Sequence, residues 1–187
     1  MSDCCTPNAN SADSCAIPNA AANTTADGCC AVTPVRSQTQ TTDQTTCPVC
    51  GTKGKSIESQ TVKAMLDVSL ATLKSDGYRF CRNESCQVVY FGADDDVYTE
   101  DDLRERVHQK HPDAADVFVC YCFRHTPGSI HRELLLTGRS TVVEQVNAGI
   151  QAGQCACEIR NPQGSCCLGN VTATVKRAQK SFVPVAA

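Results

Sequence analysis

Thiols are the chemistry this sequence advertises: it carries 15 cysteines in 187 residues, and most stand in close pairs. Cys47-Pro48-Val49-Cys50-Gly51 is a metal-binding knuckle, since two residues between cysteines let both sulfurs face one ion and a following glycine permits the tight turn. Cys81-Arg82-Asn83-Glu84-Ser85-Cys86 supplies a second pair. Four thiolates close the tetrahedral shell of Zn²⁺ with no open position, so Cys47, Cys50, Cys81 and Cys86 read as a structural zinc site. Nothing around the Cys-x-x-Cys has the βαβ pattern of a thiol oxidoreductase.

A second constellation lies downstream. Cys120-Tyr121-Cys122 is followed by Cys155-Ala156-Cys157 and then by Cys166-Cys167. A [2Fe–2S] cluster takes four thiolates, two on each iron, and Cys-x-Cys suits one edge of it. Two Fe³⁺, two sulfides and four thiolates together carry −2, a charge that helix N-termini favour. Helices are expected just after Cys122 and just after Cys167. The Asn161-Pro162-Gln163-Gly164 turn is expected to offer backbone N–H groups to the sulfurs. Spacing alone leaves a second zinc as the alternative.

A third set stands near the start. Cys4, Cys5, Cys15, Cys29 and Cys30 sit in an imperfect repeat: Asp3-Cys4-Cys5-Thr6-Pro7, Asp13-Ser14-Cys15-Ala16-Ile17-Pro18 and Asp27-Gly28-Cys29-Cys30-Ala31-Val32-Thr33-Pro34. Adjacent thiols in a mobile chain suit soft ions such as Cu(I), and an inert tail is the competing reading.

The remaining composition narrows the setting. The sequence opens on Met1-Ser2-Asp3-Cys4-Cys5 without a basic stretch and apolar core, so a secretory signal is not expected, and no apolar run approaches the length of a membrane span. That points to the reducing cytoplasm, where paired thiols serve metals rather than disulfides. The formal net charge is −3 and no basic run exceeds Lys176-Arg177, which argues against a nucleic-acid partner. With no Trp, five Phe and four Tyr, the packing is expected to need support from metals. No acid–base constellation or substrate cleft is legible. Metal-ion reduction is the nearest approach to an enzymatic activity.

Elements must hold these thiols in place. Residues 1–45, rich in Ala, Asn, Ser, Thr and Gln, read as a disordered tail. In residues 46–115 the spacing predicts a long helix through Val62, Met65, Leu66, Leu70 and Leu73, stopped at Gly77. Short strands are expected at Tyr78–Cys81 and Gln87–Phe91, and a turn at Asp94–Asp96. A helix capped by Thr99 is expected to run through Leu103 and Val107 to His111-Pro112-Asp113. Residues 116–180 read as helical. One helix starts at Thr126-Pro127 and stops at Gly138; another has a Thr141/Glu144 capping box and a Val142, Val146, Ile150 stripe as far as Gly153; a third, shorter one follows Val171, Val175 and Ala178. Of the histidines, His108 and His111 flank a helix end and read as solvated or dipole-facing, His125 reads as an exposed helix-start residue close to the cysteines, and His131 has no nameable partner.

Residues 47–175 resemble the N-terminal domain of CopZ-type copper chaperones that carry zinc and [2Fe–2S]. The resemblance rests on Cys47-Pro48-Val49-Cys50, on Phe80-Cys81 through Cys86-Gln87-Val88-Val89-Tyr90-Phe91, on Val119-Cys120-Tyr121-Cys122, and on Cys157 through Asn161-Pro162-Gln163-Gly164-Ser165-Cys166-Cys167. The second half is similar to the bacterioferritin-associated ferredoxin fold, through its Cys-x-Cys, the Thr126-Pro127 helix start and Gly153. The resemblance implies zinc at Cys47, Cys50, Cys81 and Cys86, and a cluster at Cys120, Cys122, Cys157 and Cys167, with Cys155 and Cys166 as substitutes. It implies an α+β fold: a small zinc-stabilised α/β unit, then a helical bacterioferritin-associated-ferredoxin-like [2Fe–2S] unit. The family's chaperones continue into a domain with a Met-x-Cys-x-x-Cys copper motif, which these 187 residues do not contain.

The expected function is a redox protein of metal homeostasis that couples one-electron transfer to copper handling. Its partners would be soft metal ions and a metal-transport or storage protein. The alternative is an electron-delivery or sensor module docking on a storage or cluster-assembly partner.

Overall fold

The structure, a computed structural model, describes residues 45–74 and 76–182. Residues 1–44 of the expected disordered tail, with its five cysteines, lie outside the described residues. Those described fall within one compact unit, an α+β arrangement of a four-stranded antiparallel sheet and helices.

The sheet is a meander in the order β1 (Lys55–Ile57), β2 (Tyr78–Phe80), β3 (Val88–Phe91) and β4 (Val97–Thr99). Lys55 pairs with Phe80, Phe80 with Tyr90, and Tyr90 with Tyr98; a register shift falls between Val88 and Tyr90. β2 and β3 lie where aromatic and β-branched residues placed them. β1 and β4 are two further strands, beyond those expected from the sequence.

Both helices expected in the first half are cut short, and by the same cause. α1 covers only Ser59–Met65. Leu66 is extended and bridges antiparallel to Leu103. Asp67 N–H donates to Asp102 O at 2.8 Å and Arg104 N–H to Met65 O at 2.9 Å. Backbone groups that would have continued each helix are therefore used between the two segments. What remains is a 3-10 turn at Leu70–Thr72 and another at Glu100–Asp102, the latter with a Thr99/Asp102 capping box.

The shortage of aromatic core is also corrected. Tyr78, Phe80, Tyr90 and Phe91 are all at most 1% exposed, so this sheet has an aromatic centre of its own. Tyr78, Phe80, Tyr90 and Tyr98 pack there with Val62, Met65, Leu66 and Val107.

The second half has an aliphatic core of Val119, Ile130, Leu134, Val142, Val146, Val171 and Val175. α2 (Pro127–Thr137) begins on a Thr126/Ser129 capping box and ends at left-handed Gly138, as its start and stop residues predict. α3 (Val142–Gln151) lacks the expected capping box. Glu133 of α2 reaches across instead, accepting from Thr141 N–H at 2.9 Å and from the Thr141 hydroxyl at 2.6 Å. A single turn, α4 (Cys157–Arg160), follows, then α5 (Leu168–Ser181), which at 14 residues is the longest described helix rather than a short one. α2 and α3 pack on α5, and α4 packs on α1.

Candidate metal centres

The first centre is built from two backbone knuckles beside the sheet. In one, Cys47 N–H donates to Thr52 O and Gly51 N–H returns to Cys47 O, both at 2.9 Å. Gly51 has a φ of 70°, which a side chain would disfavour. Cys81 follows β2 directly and its N–H donates to Val89 O at 2.9 Å; Cys86 stands two residues before β3. The sheet hairpin thus sets the second pair opposite the first.

All four Sγ atoms lie within 4.8 Å of one another. Cys47 and Cys86 are 3.9 Å apart, and Cys50 and Cys81 are 3.6 Å apart. A tetrahedral ion with bonds of about 2.3 Å sets its sulfurs roughly 3.8 Å apart, so the residues fit zinc as a closed four-thiolate shell. Val88 and Phe91 wall the sulfurs.

The protons show what these thiols lack. Hydrogen bonds from the Thr52 hydroxyl and N–H bring Cys50 down to about 6, while burial pushes Cys81 up to about 12 and raises Cys86. One thiol of the set ionises easily and its buried neighbours resist. A dication removes that conflict by displacing the protons. Lys110 adds a clamp that sequence reasoning missed, donating to Cys81 O at 3.0 Å and Asn83 O at 2.7 Å. A lone lysine 24 residues beyond Cys86 carries no spacing signal.

The second centre gathers residues from a loop, the turn after α3 and two helix starts. Cys120 lies in the loop before α2, where it pairs antiparallel with His125: His125 N–H donates to Cys120 O at 3.2 Å. Half-buried His125 therefore anchors this loop through its backbone. The loop also carries Phe123, whose ring lies on α3 at Gly149. A Cβ there would come within 2.1 Å of the ring, so the glycine makes room. Cys157 opens α4, and Cys167 caps α5.

The structure brings the predicted cysteines together in two groups. Cys122, Cys155 and Cys157 have sulfurs within 4.8 Å of one another, with Cys122 and Cys157 at 3.8 Å. Cys120 and Cys167 make up the other group, each moving the other's ionisation. Cys167 brings Cys120 down to about 6, against burial and helped by the Phe123 and Cys122 N–H groups. Cys120, with burial, holds Cys167 above the usual thiol range. Burial pushes Cys157 up to about 12, opposed by the Cys167 N–H. Cys166 is exposed.

Four thiols, Cys122 and Cys157 at 3.8 Å and Cys120 and Cys167 moving each other's ionisation, fit the donor set that a [2Fe–2S] group needs. The Asn161–Gly164 turn plays a different part from the one expected. Gln163 N–H and Gly164 N–H are taken by Asn161. The turn faces the sheet: Tyr90 donates its hydroxyl to Pro162 O at 2.6 Å, and Lys55 Nζ donates to Gln163 O at 3.0 Å. The N–H groups that reach sulfur come from Cys122, Phe123, Ala156 and Cys167.

Among the described residues no helix is long and apolar enough to cross a membrane. Residues 44–104 match a family described as a zinc binding domain, of CopZ type. The copper chaperone CopZ of Archaeoglobus fulgidus is 36% identical over 122 residues, which are 65% of this chain and 57% of that protein. This chain therefore spans little more than half the length of that relative. The crystal structure of the Archaeoglobus fulgidus CopZ N-terminal domain matches with a TM-score of 0.57 and 31% identity, over 68% of this chain and 95% of that one. Knuckle spacing, sheet and similarity agree: this chain belongs to the family of CopZ N-terminal domains.

Proposed function

We propose that this chain is a redox protein of metal homeostasis, holding zinc at Cys47, Cys50, Cys81 and Cys86 and a [2Fe–2S] cluster at Cys120, Cys122, Cys157 and Cys167. The observation that supports it most is the contrast between the centres. The first is a single closed set of four sulfurs, whereas the second sets Cys122 and Cys157 together at 3.8 Å and leaves Cys120 and Cys167, which move each other's ionisation, as the other two. One pair per iron is what such a cluster requires.

The bound cluster would supply one-electron exchange, enough to interconvert Cu(II) and Cu(I). Around it the chain's own groups have defined tasks. The N–H groups of Cys122, Phe123, Ala156 and Cys167 donate to sulfur and steady its negative charge. Phe123, laid on α3 at Gly149, keeps the Cys120–His125 loop in place. The relative in Archaeoglobus fulgidus is named a copper chaperone. Carried to this chain, that suggests copper as the ion handled, with Cys4, Cys5, Cys15, Cys29 and Cys30 as further soft ligands. A metal-transport or storage protein would then be the partner.

Protein purified without oxygen should be brown and contain roughly two irons, two acid-labile sulfides and one zinc per chain. A colourless protein with two zincs and no sulfide would overturn the reading.

A further inference from the structure

Cys155 stands outside the ligand set proposed above, yet its sulfur joins those of Cys122 and Cys157 within 4.8 Å. It arrives there by design of the local chain. Gly153, with a φ of 66°, turns the backbone out of α3, and Gln154 N–H donates to Gly149 O at 2.9 Å. The next residues, Cys155-Ala156-Cys157, wrap the Cys122 sulfur, to which Ala156 N–H donates at 3.4 Å. Cys155-x-Cys157 thereby repeats the spacing of Cys120-x-Cys122 and faces it.

Three sulfurs are a different donor set from four. Among the described residues no fourth ligand atom lies within 4.8 Å of all three, so the group offers three sulfurs rather than a tetrahedral set. The 3.8 Å between Cys122 and Cys157 suits a three-coordinate ion, whose sulfurs stand roughly 4 Å apart for bonds of about 2.3 Å, as well as a four-coordinate one, so it is the number of sulfurs that sets the coordination. Thiolates select soft ions, Cu(I) foremost. Charge points the same way. Three thiolates with one Cu(I) carry −2, the charge of the oxidised cluster with its four thiolates, so one arrangement of N–H donors suits both. Cys122 and Cys155 are only half-buried, which leaves an approach for the ion.

The geometry points to a second use of this centre, resting on the cluster reading: in the cluster-free protein Cys122, Cys155 and Cys157 hold one soft cation, Cu(I) by chemistry. The ion and the cluster then compete for Cys122 and Cys157, and Cys155 serves the ion alone. Binding is ligand exchange without electron transfer; the three thiols give their protons to water as the Cu–S bonds form.

The test uses the full chain with Cys4, Cys5, Cys15, Cys29 and Cys30 changed to Ser, freed of iron and keeping zinc. Cu(I), added anaerobically as its acetonitrile complex, is measured against a chromogenic chelator, with zinc followed in the same samples. The parent should hold one Cu(I). Adding Cys155→Ser should weaken it by more than about 100-fold, the upper range for losing a mere outer-shell partner. Reconstitution with iron and sulfide should give equal colour in both proteins, and prior Cu(I) should block it only in the parent. Equal Cu(I) affinity in the two proteins would overturn the proposal, as would loss of the cluster in Cys155→Ser, which would make Cys155 an ordinary cluster ligand. If neither protein takes up a cluster while Cys155→Ser still loses Cu(I), the soft-cation site stands and the cluster reading falls.

Discussion

The two centres use one kind of donor and differ in almost everything else. The first puts four cysteines, three of them fully buried, on rigid knuckles against an aromatic sheet. The second puts its cysteines on a loop and helix starts over an aliphatic core, with Cys122 and Cys155 half-buried and Cys166 exposed. A closed set with no spare donor can fasten a fold but cannot exchange. An open set with surplus thiols can change its occupant. The structural difference predicts which metal is permanent and which is functional.

The sharpest way to break that comparison is to remove one cysteine from each centre. Cys120→Ala should abolish the visible absorption and leave the zinc content unchanged. Cys50→Ser should do the reverse, removing zinc while colour persists. If either change empties both centres, they are not independent in the sense argued.

Next comes stability. Loss of zinc in Cys50→Ser should lower the unfolding free energy by several kcal/mol, about what a tightly held ligand contributes at saturation. Because Tyr78, Phe80, Tyr90 and Phe91 form a core without the metal, amide-exchange protection should fall at the knuckles and persist in β2 and β3. Uniform loss of protection across residues 47–107 would show that zinc, not the aromatic core, holds the sheet.

A smaller effect should follow from Lys110→Met, which removes two donors from the backbone of the second knuckle. Zinc affinity should drop by roughly 10-fold, the lower range for an outer-shell partner, measured by chelator competition. An unchanged affinity would make the clamp incidental.

The smallest effect belongs to the second half. Glu133→Ala removes the side chain that caps α3 and should cost about 1 kcal/mol in chemical denaturation. Burial tends to raise the Glu133 carboxyl, but its bonds from Thr141 and Ser140 outweigh this and hold its pKa below the usual carboxylate range. The contribution is thus complete above about pH 4.3 and is lost as pH falls through the lowered folded value. The variant's deficit should narrow in acid; a deficit that grows there would contradict the assignment.

Legibility in the sequence followed the range of each interaction. Knuckle spacing, the Thr126-Pro127 start and the Gly138 stop are local signals, and all three correspond to what the chain does. The helices over Val62–Leu73 and Leu103–Val107 failed because their apolar periods are genuine, yet Leu66 and Leu103 satisfy each other's backbones in a bridge no local pattern announces. Glu133 replaced the expected Thr141/Glu144 box for the same reason, being a partner from another helix. The Asn161–Gly164 turn was legible as a turn, but its target, Tyr90, lies 72 residues from Pro162. Cys155 was visible as a cysteine, and only folding shows that it meets Cys122.

The most direct test of the contrast is X-ray absorption at the zinc and iron edges of one anaerobic sample of the full chain. The account predicts zinc with four sulfurs at about 2.3 Å and no metal neighbour, and iron with sulfur neighbours and a second iron close by. Zinc with nitrogen or oxygen in its shell, or iron with no iron neighbour, would contradict it.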